Sequence, residues 1–82
     1  MNDNYIVWNL REANEEIERT LREIDSDPKY EYGDFMPAMQ HIFHHLNTAW
    51  NARDASPEEV KECSQENFAR WRQFPSDMYM GT

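Results

Sequence analysis

The chain has 82 residues, 39% hydrophobic and 29% charged, and its 16 Asp and Glu against 8 Lys and Arg give a formal net charge of −8. That length allows one domain, residues 1–82, which buries only about 60% of the surface its unfolded chain exposes, so its core must be economical. The negative balance argues against contact with phosphate backbones or anionic membrane surfaces, and the longest basic cluster is only Arg70–Trp71–Arg72. Residues 1–34 hold ten acidic and four basic side chains, so most of the excess charge lies on the first helix and the loop after it. One cysteine, Cys63, cannot form an intrachain disulfide, the opening Met1–Asn2–Asp3–Asn4 is unlike a signal peptide, and no apolar run approaches a membrane span. The expectation is a cytoplasmic, soluble protein without nucleic-acid or membrane partners.

The first predicted helix covers about residues 4–25. Val7, Leu10, Asn14, Ile17, Leu21 and Ile24 recur at spacings of three and four, the signature of one helix face. Arg11, Glu12, Glu15, Glu18, Arg19 and Arg22 take the other face, with Glu15–Arg19 and Glu18–Arg22 paired in the favourable order. Asp3 or Asn4 is expected as the cap, and Asp27–Pro28 as the stop, because a residue before proline leaves the helical region. A loop over 26–33 follows.

The second predicted helix covers residues 34–53, with Asp34 as its cap and Pro37 in its first turn. Met39, Ile42, Phe43, Leu46, Ala49 and Trp50 form its stripe, with Gln40, His44, Asn47 and Asn51 opposite. The third, 57–73, is announced by Ser56–Pro57–Glu58–Glu59, a capping box with proline at the first helical position. Its apolar face runs through Val60, Cys63, Phe68, Trp71 and Phe74. Three such helices predict an all-α, three-helix up-down-up bundle with the stripes on a shared axis, and a tail over 75–82 that packs back on it or stays free. A homodimer with a shared core is the structural alternative.

Three signals bear on chemistry. His41 and His45 are four apart, on one helix face, and with Cys63 they are the candidate metal ligands. The second-helix sequence lacks the glutamate after the first histidine that a metalloprotease requires, and a satisfied core or rim histidine is the simpler reading of His45. Residues 25–36 begin like a calcium loop, but Tyr30 stands at its glycine position and Met36 at its closing glutamate. Cys63 lies among Glu59, Glu62 and Glu66, carboxylates that oppose a reactive thiolate. Neither an enzyme nor a bound cofactor is expected. Asn14, His45, Ser64 and Asn67 interrupt otherwise apolar faces and are expected to bond one another across the bundle.

The aromatics off the stripes, Tyr5, Trp8, Tyr30, Tyr32 and Tyr79, are candidate partner-binding residues, since exposed Trp and Tyr are enriched at binding surfaces. The expected function is a small acidic interaction or regulatory module, binding a protein partner or itself, as monomer or homodimer. The alternatives are an acidic decoy for a basic nucleic-acid-binding protein and a metal-binding helical protein using the His pair.

Overall fold

A computed structural model of the chain describes residues 1–62, 64–79 and 81. Its described residues are all-helical, without strands: α1 spans Asp3–Ser26, α2 Tyr32–Asn51, α3 Pro57–Glu62 and α4 Gln65–Trp71. The capping residue of α1 is Asn2, whose Oδ1 accepts the Tyr5 N–H at 3.2 Å. At the other end Asp27 turns extended and its N–H bonds the Glu23 carbonyl, so the helix stops before Pro28 as the sequence requires. Asp34 does not cap α2 but sits inside it. The helix begins after Glu31, and the Asp34 carboxylate reaches back to accept the Glu31 N–H at 3.1 Å. Pro37 lies within α2, near its start.

α1 and α2 pack as an antiparallel pair. Asn2 bonds the Arg53 carbonyl, Asn9 meets His45, and Glu16 meets His41, so rising numbers on one helix meet falling numbers on the other. This hairpin is the body of the molecule.

The third segment departs from the expected bundle. The Ser56 box forms as read, with the Ser56 N–H on Glu59 Oε1 and the Glu59 N–H on Ser56 Oγ, both 3.1 Å. The helix it starts ends at Glu62, however, and a second one begins after Ser64, whose hydroxyl accepts the Asn67 N–H at 3.1 Å. A second cap placed inside the segment supplies a competing start and divides it. The segment does not run the length of α2 either. Asn47 donates to the Arg72 carbonyl (3.0 Å), and Asn51 to those of Trp71 (2.8 Å) and Gln73 (2.6 Å), which clasps α4 and its exit over the C-terminal half of α2. In the tail, Asp77 accepts the Trp50 indole N–H at 2.8 Å, while Tyr79 is exposed.

Among the described residues the buried apolar set is small: Ala13, Ala38, Ile42, Ala49, Ala52 and Trp71. Four of these are alanines, and the radius of gyration is 14.6 Å, against roughly 12 Å for a compact domain of this length. Ile42 is the one large aliphatic side chain in that set, and the stripe of α1 lies outside it.

Candidate interaction surface

α1 turns a polar seam, not its apolar stripe, towards α2. Its buried residues are Asn9, Ala13, Glu16 and Thr20. They meet Ala38, Ile42, His45 and Ala49 of α2, and the contact is organised by a chain of polar groups. Asn9 Nδ2 donates to the Tyr5 carbonyl at 3.0 Å, which leaves Asn9 Oδ1 as an acceptor for His45 Nδ1 at 2.9 Å. His45 Nε2 then accepts from His41 Nε2, 3.1 Å away. On its other side His41 Nδ1 lies 3.4 Å from Glu16 Oε2, and Arg19 lies 3.0 Å from the same oxygen. Neither makes an aligned hydrogen bond to it, so the buried carboxylate is held by charge proximity rather than by a directed bond. Burial pushes the His45 imidazole below its ordinary pKa, His41 pushes the same way, and Glu12 pushes back. The neutral His45 is what the chain of donors and acceptors requires.

His44 is half-buried, not solvent-facing as its wheel position suggested. Its ring lies 4.9 Å from Phe68 and 4.7 Å from His45. Burial, helped by His45, Arg72 and His41, lowers its pKa to about 4. Its Nδ1 is buried without a hydrogen-bond partner.

The expected network of Asn14, His45, Ser64 and Asn67 is not assembled. Asn14 is exposed and reaches only Glu18 (3.4 Å), Ser64 caps α4, and the Asn67 side-chain Oδ1 accepts from Arg70. His41 and His45 are brought together, but their facing nitrogens are spent on each other. Among the described residues no group of three or more His, Cys, Asp or Glu is placed to hold one metal ion. Cys63, the third candidate ligand, lies outside the described residues.

The candidate aromatics do not form one patch. Tyr5 stacks with Trp8 (6.2 Å) and meets Trp71 edge-on (6.1 Å), while Trp8 meets His45 edge-on (5.5 Å). These rings join α1 to the clasp of α4, although Trp8 keeps about half its surface exposed. Tyr30 and Tyr32 lie at the opposite, loop end of the hairpin, the first half-buried and the second exposed. Burial, then Glu23, Asp34 and Glu16, push the Tyr30 phenol pKa up.

The surface that sequence reasoning missed is the stripe itself. Val7, Leu10, Ile17, Leu21 and Ile24 of α1 are all exposed, Leu21 by 58%. Each of Leu10, Ile17 and Leu21 follows a seam residue by one position, which on a helix is a turn of about 100°. On α2, Phe43 and Leu46 follow the seam residues Ile42 and His45 in the same way, and both are exposed. Two antiparallel helices turn in opposite senses for an observer looking along the pair. The same one-residue step therefore carries both stripes to the same side of the hairpin. The clasp of α4 occupies the other side, through Tyr5 and Trp8 on α1 and His44 on α2. Phe74, just past the end of α4, meets Phe43 edge-on at 5.2 Å at the α2 edge of this face, and the stripe of α1 beside it is left apolar and exposed. The available signal was the regularity of the stripe, which alternates three and four without drift from residue 7 to 24.

Comparison with protein-family models, curated proteins and solved structures gives no match to the chain. Among the described residues no helix is long and apolar enough to cross a membrane.

Proposed function

We propose that the protein is a non-catalytic, acidic interaction module of the cytoplasm that works through the apolar face shared by α1 and α2. One observation carries the reading: five large aliphatic residues of a single helix, at regular spacing, lie exposed while polar side chains fill the seam beside them. Soluble monomers rarely expose a contiguous apolar patch beyond about 300–600 Å², and larger ones mark binding sites. The single cysteine supports a reducing compartment. The off-stripe aromatics contribute at the edges, Trp8 beside the clasp and Tyr32 at the loop.

The reading is tested by placing a photo-reactive phenylalanine at Leu21 in the cells that make the protein, with Arg22 as the control. Both positions are exposed, and only the first lies on the stripe. Discrete adducts from position 21 and none from 22 are the expected result. Equal or absent cross-linking from the two would overturn it.

A further inference from the structure

We infer that the face is covered by a second copy of this chain: two hairpins pack face to face into a four-helix core, α1 antiparallel to α1 of its mate. The inference rests on the interaction reading and commits it to one occupant.

The spacing is the first argument. Positions 7, 10, 14, 17, 21 and 24 form a strict heptad seam with a period of 3.5, and such a repeat belongs to a line of contact between helices. The contact between α1 and α2 already uses a different line, 9, 13, 16 and 20, about 100° away. A helix with two contact lines near a right angle has two neighbours at the corners of a square, which is its situation in a four-helix bundle.

Charge selects the neighbour and its direction. The flank of the stripe away from α2 carries Arg11 and Glu18 at equivalent heptad positions. In an antiparallel pair these positions face each other, so Arg11 of each copy meets Glu18 of the other, twice by symmetry. In a parallel pair Arg11 would face Ile6 and Glu18 would face Ala13, neither of which carries a charge. The register that uses the whole stripe sets Val7 against Ile24, Leu10 against Leu21 and Asn14 against Ile17. It leaves Arg11 and Glu18 of the mate within one turn of each other. Asn14, in the middle of the seam, is the polar residue that penalises other registers.

Area is the third argument. Seven large apolar side chains on this face, Val7, Leu10, Ile17, Leu21 and Ile24 of α1 with Phe43 and Leu46 of α2, are 38–58% exposed. At on the order of 80 Å² each they offer about 550 Å² per copy. A standard stable interface takes about 800 Å² per partner, and the polar flank supplies the remainder.

Sedimentation equilibrium of the full chain, from low micromolar to near-millimolar, should give twice the 9.9 kDa chain mass at the upper end. Arg11→Glu and Glu18→Arg, each on the exposed flank and harmless to the hairpin, should each weaken dimerisation roughly fivefold or more. The combined Arg11→Glu/Glu18→Arg variant should restore it. A chain of single mass throughout overturns the inference, and so does a dimer whose combined variant is as weak as its singles. A single-mass chain whose position 21 still cross-links to another protein sinks the self-pairing alone. Loss of both signals sinks the interaction reading with it.

Discussion

The two long helices carry two lines of residues one step apart, and they have exchanged their expected roles. The inner line, Asn9, Glu16 and Thr20 against His41 and His45, is polar and largely buried, while the outer line, Val7 to Ile24, is aliphatic and exposed. Burial in a single chain normally follows the removal of apolar surface from water. Where it does not, the proposed contact outside the chain is what would collect the hydrophobic gain. The inner line then serves orientation, since a satisfied polar contact is directional in a way that aliphatic packing is not.

The largest effect should come from charging the outer line. Leu10→Glu/Leu21→Glu places four carboxylates in the proposed shared core, and dimer mass should vanish at every accessible concentration, together with any concentration dependence of Tm. Retention of both would break the comparison. On the inner line, Ile42→Ala removes the one large aliphatic side chain buried among the described residues. It should cost about 2–5 kcal/mol in denaturant unfolding. His45→Leu should cost about 1–3 kcal/mol, because it strands Asn9 Oδ1 and the His41 ring, whereas Asn9→Leu/His45→Leu should recover most of that loss. A double variant as unstable as the single one would deny the inner line its paired character.

The smallest effect is a dependence on pH. His44 has an ordinary pKa of 6.5 and a folded value of about 4, so the unfolded chain binds the extra proton between those limits. Stability from this group is complete above about pH 6.5 and falls as pH drops towards 4. His45, also lowered, contributes with the same sign. Tm followed across that window should decline on the acid side, and His44→Gln should flatten the slope. An unchanged slope would remove His44 from the account.

Much of this fold could be read from local chemistry. The stop at Asp27–Pro28, the Ser56 box and the existence of both long helices depend on residues within a turn of each other. The break at Ser64 was also written locally, in a serine three residues before Asn67, but the apolar period running through Cys63 hid it. The rotation of α1 was beyond local reading. Periodicity says that Leu10, Ile17 and Leu21 share a face, and it is silent on whether that face meets its own chain or another. Asn9 and Glu16 gave no warning, because they become interior only through partners on α2 some 25–36 residues away. The candidate aromatics failed as a single site for a related reason: their proximity depends on where the third segment folds back.

The one-residue offset between the two lines makes the geometry of α1 a choice between alternatives. Turned by about 100° about its own axis, α1 would press Leu10, Ile17 and Leu21 onto α2 and present Arg11, Glu15, Glu18 and Arg22 to water. That is the arrangement of a self-sealing hairpin with no need of company. The bond from Asn9 to His45, the approach of Glu16 to His41 and the tie from Asn2 to the Arg53 carbonyl act as a lock against that turn. A single residue inserted or deleted within α1 would be enough to pass from one arrangement to the other, so one codon separates the exposed stripe from a sealed one.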